Sequence, residues 1–300
     1  MLHPPYLHPG DTVALVAPAR KISREEIVPA IQVLERWGLR VVVGDTVGAE
    51  DHQYAGNDQY RARDLQRFMD DPEIKAIIAC RGGYGTVRLI DQLRFDRFMD
   101  KPKWIVGYSD LTILHTHLSC VVGVESLHAT MPINFTAHTA EAQQSLQDAL
   151  FGKKLEYIFP AHPLNIPGNM EGRVIGGNLS LLYSLLGTKT MLLHSGAILF
   201  LEDLDEYLYH IDRMMMALKR AGKLQGLAGI IVGAMSDMKD NTVPYGKTAE
   251  EIIAEHVEGM GYPVAYGFPA GHIPDNRAIR VGVDARVMVG TDETRFLQQY

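Results

Sequence analysis

The sequence predicts an α/β protein: an N-terminal, mainly parallel sheet with flanking helices, followed by a second, mixed α/β domain with its own sheet. Three observations predict it. Short apolar runs at 12–17, 39–43, 74–79 and 104–106 alternate with helical patterns. Short runs recur at 173–180, 197–202, 229–233, 264–267 and 279–290, around one strong helical pattern at 206–221. Between the halves, 129–172 changes texture, with a short helix near 138–150 and then Pro160, Pro163, Pro167 and Gly168. The chain is therefore read as an α/β domain over 1–150, a crossover linker over 151–172 and a second domain over 173–300.

Each element has a local reason. The first strand ends at Pro18, and Ser23 with Glu25 and Glu26 caps a helix whose apolar positions are Ile27, Ile31 and Leu34. Helices are expected over Asp58–Met69, with Leu65 and Phe68 inward, and over Val87–Leu93. Another follows residue 110, with Leu111, Leu114 and Leu118 on one side. Continuous apolar runs such as Ile74–Ala79 suit parallel strands covered on both faces. In the second half, the helix over 206–221 presents Tyr207, Ile211, Met214, Met215 and Leu218 inward and ends at Gly222.

Composition removes several function classes. The chain has 300 residues, 46% hydrophobic and 22% charged, which permits a sizeable core. A net charge of −7 without a Lys/Arg block argues against a nucleic-acid partner. Cys80 and Cys120 make no disulfide framework. The start lacks a basic stretch leading into an apolar one, and no apolar run reaches the roughly 18 residues of a membrane span. These readings predict a cytoplasmic protein without a membrane partner.

Two loops fall at the carboxyl ends of first-half strands, where open α/β sheets bind ligands. Gly107-Tyr108-Ser109-Asp110 follows a strand and precedes a helix. A serine on such a turn can be held exposed, with the amides of the next turn able to receive an oxyanion. Ser-Asp before a helix is equally an ordinary cap, and the last glycine of the usual G-x-S-x-G pattern is missing. Arg81-Gly82-Gly83-Tyr84-Gly85 permits close backbone approach to a ligand, and also reads as a tight turn. It does not fit G-x-G-x-x-G, and Gly246-Lys247-Thr248 lacks the upstream glycine of a P-loop because position 241 is Asn.

In the second half, Glu202, Asp203, Asp205 and Glu206 cluster after a strand, where one could orient a histidine and others could cap the next helix. His272 lies in the loop Gly271-His272-Ile273-Pro274-Asp275-Asn276, a plausible setting for a base. His115 and His117, two apart on a helix, do not share a face, and two distant cysteines make no zinc site. No metal or other cofactor is expected.

Taken together, the motifs resemble the serine L,D-carboxypeptidases, the group of the murein tetrapeptide carboxypeptidases and microcin-immunity peptidases. The resemblance runs through Gly10-Asp11, Ala17-Pro18, Asp64-Leu65, Asp71-Pro72, Arg81–Gly85 and Gly107–Thr112. It continues through Gly176–Leu179, Leu201-Glu202-Asp203 with Glu206, Ile211-Asp212-Arg213 and Gly271-His272.

It implies that Ser109 is the nucleophile, His272 the base and Glu202 the acid that orients it. It implies an oxyanion hole made by the amide of Asp110 and one from Gly82 or Gly83. It also implies an active site between two domains, a homodimer, and release of a terminal D-alanine from a peptidoglycan-derived peptide. Arg81 is placed to meet the substrate's terminal carboxylate; Tyr84 and His128 complete the expected substrate-binding set.

One departure concerns the His-Gly-Pro run often seen in the family, which here reads His128-Ala129-Thr130-Met131-Pro132. An amidase or peptidase of the microcin-immunity type acting on modified peptides or acyl-amides is the alternative activity. A non-catalytic module binding peptidoglycan fragments and a dinucleotide enzyme are more distant ones.

Overall fold

The structure is a computed structural model describing residues 1–191 and 195–299. Its first sheet begins with β1 (Thr12–Val16), β2 (Arg40–Val43), β3 (Ile74–Ala79), β4 (Trp104–Gly107) and β5 (Ser126–His128). These pair in parallel in the order β5-β4-β3-β1-β2. Helices α1 (Val28–Arg36), α2 (Asp58–Asp70), α3 (Asp96–Asp100), α4 (Thr112–His117) and α5 (Ala140–Leu150) accompany it. Asn57 starts α2 by accepting a hydrogen bond from the Tyr60 amide at 2.9 Å. Thr139 caps α5 in the same way.

The second sheet contains β6 (Leu155–Pro160), β7 (Gly168–Asn178), β8 (Ile198–Leu204), β9 (Gly229–Ser236) and β10 (Val264–Tyr266), with α6 (Leu179–Ser184), α7 (Leu208–Arg220) and α8 (Ala249–Val257) between strands. The chain then returns to the first sheet as β11 (Ile279–Val281), antiparallel to β5 with Ile279 opposite His128. It ends in the second sheet as β12 (Asp284–Val289) and β13 (Glu293–Gln298). Strands β7 to β10 are parallel, while β12, β13 and β6 add antiparallel pairs. The expected mainly parallel and mixed sheets are both present.

Helix α4 is buried along its whole length, packed against β7 and α6. Its first residue, Thr112, accepts a hydrogen bond from the Asn178 amide at 3.0 Å through its side-chain oxygen. The end of β7 is thereby fixed to the segment that follows Ser109.

Several expectations are corrected. Val87–Leu93 is not one helix but two 3-10 turns, Thr86–Arg88 and Ile90–Gln92, as befits a short connector under a loop. Tyr207 does not face inward; it is 40% exposed at the position preceding α7, whose buried face is Ile211, Met214, Met215 and Leu218. The expected crossover at 151–172 carries β6 and the start of β7, both paired within the second sheet. Residues 279–290 divide between the two sheets. Helix α8 has no counterpart in the sequence reading, although Thr248 and Glu251 form a reciprocal capping box at its start.

Candidate active site

Several chain segments meet in one cleft. β4 leads into Ser109, whose φ of +62° is a left-handed conformation that a residue with a side chain seldom adopts. A 3-10 turn over Ser109–Leu111 and then α4 follow at once. The strand, sharp turn and helix expected from the sequence are all present, and Ser109 lines the cleft.

The glycine loop after β3 lies directly against this turn. A side chain at residue 82 would put its Cβ 3.1 Å from Ser109 Oγ and 3.4 Å from the Asp110 amide nitrogen. Gly82 is therefore a close approach of one backbone to another. Gly82, Gly83 and Arg81 all line the cleft.

β8 supplies Glu202 from the second sheet. The loop that carries the chain from β10 to β11 supplies His272. His272 Nδ1 lies 2.7 Å from Glu202 Oε2, and Glu202 is wholly buried. The ring of His272 lies 4.9 Å from that of Tyr108, the residue preceding Ser109. Its carbonyl accepts a hydrogen bond from Ser236 Oγ at 2.9 Å. The cleft, of about 490 Å³, is lined by Ser109 and His272 together.

Electrostatics separates this histidine from its neighbours. Burial pushes the His272 pKa down, but the Glu202 carboxylate and, less strongly, Asp203 outweigh it, and the net shift is upward. His115 is lowered to about 4 and His128 to about 3, in both cases mainly by burial. His138, partly buried, falls to about 4 mainly through loss of solvation, with the charge of His272 adding to the effect. Asp203 rises to about 7 because it is buried beside Glu202, although amides of Leu204 and Ser180 and the Asn178 side chain hold its carboxylate.

Two expected substrate contacts are placed elsewhere. His128 is 0% exposed and packs inside, its ring 5.0 Å from Phe200 and its Nε2 3.3 Å from Asn276 Oδ1. Pairing of β5 with β11 holds it beneath the His272 loop instead of in the cleft. Tyr84 is 45% exposed beside Tyr54 and is not part of the cleft wall, because the loop turns its side chain outward.

Other residues were not anticipated. Arg20, Asn134, Asn178 and Asp203 line the cleft, and the Tyr108 hydroxyl donates to Asn134 Oδ1 at 3.1 Å. Asn276 Oδ1 accepts the Gly271 amide at 2.8 Å and so clamps the loop that presents His272. Tyr108, Asn178, Asp203 and Asn276 stand within motifs visible in the sequence, but no spacing assigns them these partners. Among the described residues no group of three or more His, Cys, Asp or Glu is arranged to hold a metal ion, and no helix is long and apolar enough to cross a membrane.

Comparison with known proteins gives a consistent result. Residues 13–129 match the model of an LD-carboxypeptidase N-terminal domain, and residues 171–287 that of an LD-carboxypeptidase C-terminal domain. The chain is 34% identical over 291 residues to a probable murein peptide carboxypeptidase of Bacillus subtilis, covering 94% of this chain and 90% of that one. It is 29% identical to the murein tetrapeptide carboxypeptidase of Pseudomonas aeruginosa, covering 91% and 92%. A crystal structure of muramoyltetrapeptide carboxypeptidase from Oxalobacter formigenes superposes with a TM-score of 0.88 at 27% identity, covering 96% of this chain and 99% of that chain.

Proposed function

The chain belongs to the LD-carboxypeptidase family, and from that premise we propose that it is a serine carboxypeptidase releasing the terminal D-alanine of murein tetrapeptide. Ser109 is the nucleophile, His272 the general base and Glu202 the orienting carboxylate. One observation carries the assignment: His272 is bonded through Nδ1 to a buried Glu202 at 2.7 Å and shares a cleft wall with Ser109.

The bond at Nδ1 leaves His272 Nε2 for the serine. Nε2 takes the Ser109 proton as Oγ attacks the scissile carbonyl, and Glu202 offsets the charge that forms on the ring. The amides of Asp110 and of Gly82 or Gly83 receive the oxyanion. His272 then protonates the departing amine. Water activated by the same imidazole attacks the acyl-serine and regenerates Ser109.

Two cationic side chains, Arg81 and Arg20, stand on the cleft wall, and an exopeptidase has a terminal carboxylate to recognise. The same reading places the enzyme in the cytoplasm, as a homodimer acting in peptidoglycan recycling.

Release of D-alanine from L-Ala-D-Glu-diamino acid-D-Ala tests the proposal, with the wild-type protein beside Ser109→Ala. Release by the wild type alone is expected. Failure of a folded wild-type protein to release it would overturn the substrate assignment, and turnover by Ser109→Ala would overturn the nucleophile.

A further inference from the structure

We propose that the carboxylate of Asp110 and the buried guanidinium of Arg61 are positioning residues that lock the glycine loop to the nucleophile turn. This rests on the reading of Ser109 as nucleophile and of the Asp110 and Gly82 or Gly83 amides as oxyanion donors. Those two donors come from different segments of chain. A hole built from them works only if their separation is fixed before the substrate arrives.

The loop touches the nucleophile turn at two points. At its start, Gly82 packs against Ser109, a contact without direction. At its end, the Thr86 amide donates to Asp110 Oδ2 at 2.8 Å. Asp110 is fully buried and absent from the cleft wall, so its side chain points away from any substrate while its own amide lies beside Gly82. A neutral Ser or Asn would cap a helical turn here at less cost. A buried carboxylate is expensive unless charge and hydrogen bonds compensate it, and in return it makes the stronger bond to an amide.

Arg61 is a buried cation that supports the end of the same loop from beneath. It is completely buried, donating to the Pro18 carbonyl at 2.6 Å and to the Gly56 carbonyl at 3.0 Å, and it pairs with Asp58. It runs directly beneath the loop. A Cβ at residue 85, where φ is +148°, would lie 2.5 Å from Arg61 Nη1. Glycine at 85 therefore lets the guanidinium reach under the loop. Burial raises the Asp110 pKa; Thr86, through its side chain and its amide, opposes the rise most, then the Gly85 amide, and the field of Arg61 least. The carboxylate holds the end of the loop from the side of the nucleophile turn through the Thr86 amide, and the guanidinium supports that end from beneath Gly85.

This arrangement is tested with Asp110→Ala and Asp110→Asn in the full chain. The readouts are kcat and KM for tetrapeptide, affinity for a phosphonate analogue of the tetrahedral intermediate, and thermal unfolding. A folded Asp110→Ala is expected to lose roughly 10²-fold in kcat and a matching factor in analogue affinity, the scale of a lost oxyanion donor, with KM little changed. Asp110→Asn, which keeps an acceptor for the Thr86 amide, is expected to recover part of both losses.

Unchanged kcat in folded Asp110→Ala would overturn the proposal. So would a kcat loss with no loss of analogue affinity. If the alanine variant does not fold, Asp110→Asn decides alone: parallel partial losses support the proposal, and an effect on KM only overturns it. Ser109→Ala in the same assay separates the two levels. Its turnover would overturn the underlying reading, whereas its inactivity beside wild-type behaviour of the Asp110 variants would overturn only the positioning role.

Discussion

Glu202 Oε2 and His272 Nδ1 lie 2.7 Å apart although 70 residues separate them in the chain. Glu202 reaches this point from a strand of the second sheet, and His272 from the loop returning to the first. The bond occupies Nδ1, and the proposed scheme assigns Nε2 to Ser109. Glu202→Gln keeps the size and much of the hydrogen bonding but removes the charge that balances an imidazolium. A loss in kcat on the order of 10³–10⁴-fold is expected, by analogy with the corresponding change in a serine-protease triad. Steady-state kinetics, with circular dichroism to confirm folding, checks this.

The same pair sets the response to pH. The folded-state pKa of His272 lies above its ordinary value of about 6.5, so kcat/KM is expected to fall on the acid side with a midpoint above about 6.5. Glu202→Gln leaves burial unopposed except by Asp203, and the midpoint of its residual activity should move down. For stability, a histidine pKa raised by folding contributes fully below the unfolded pKa, and the contribution is lost as pH rises through the folded pKa. The stability gap between wild type and Glu202→Gln should therefore be wider near about pH 5.5 than near about pH 8.5, on either side of that window. Urea unfolding at the two values reads it; an equal gap would contradict the linkage.

How far these positions could be read in advance depended on the range of the interaction. Ser109 and the glycine loop follow buried parallel strands, and local apolar runs identify such strands. His272 and Glu202 each stand in a local motif, but their contact depends on the crossing between sheets, which no periodicity encodes. His128 looked like a cleft residue because it follows an apparent strand near the end of the first domain. Its partner β11 comes from about 150 residues later and covers it. The antiparallel strands β6 and β13 pair with each other and were missed for a similar reason: their half-exposed alternation is weaker than a continuous apolar run.

Gly82→Ala isolates the contact between the loop and Ser109. Its methyl would stand 3.0 Å from Ser109 Cβ and 3.1 Å from Oγ, tighter than ordinary packing, so either the loop or Ser109 must shift. In the proposed mechanism such a shift misaligns Ser109 Oγ with the oxyanion-binding amides. A fall in kcat of about 10–10²-fold is expected, because misplacing a reacting group costs rate on this scale. The melting temperature should change little. Wild-type kcat in a folded Gly82→Ala would mean that the loop does not bear on the chemistry.

Arg81 is the sharpest test of how an exopeptidase would find the chain end. It lines the cleft, and among the described residues its one hydrogen bond is a long 3.3 Å donation to the Lys21 carbonyl. If it supported the fold through a carboxylate, an ion pair would be expected, and none of the ion pairs among the described residues includes it. A charge-assisted bond to a substrate carboxylate is worth about 1.5–3 kcal/mol, or roughly 10–100-fold in affinity. Arg81→Ala should therefore raise KM by about that factor with a smaller effect on kcat. Its preference for a free C-terminal carboxylate over the corresponding carboxamide should shrink in proportion, a change that simple destabilisation would not produce. Unchanged kcat/KM and unchanged preference would remove Arg81 from substrate recognition and leave Arg20, on the same wall, as the cation to vary next.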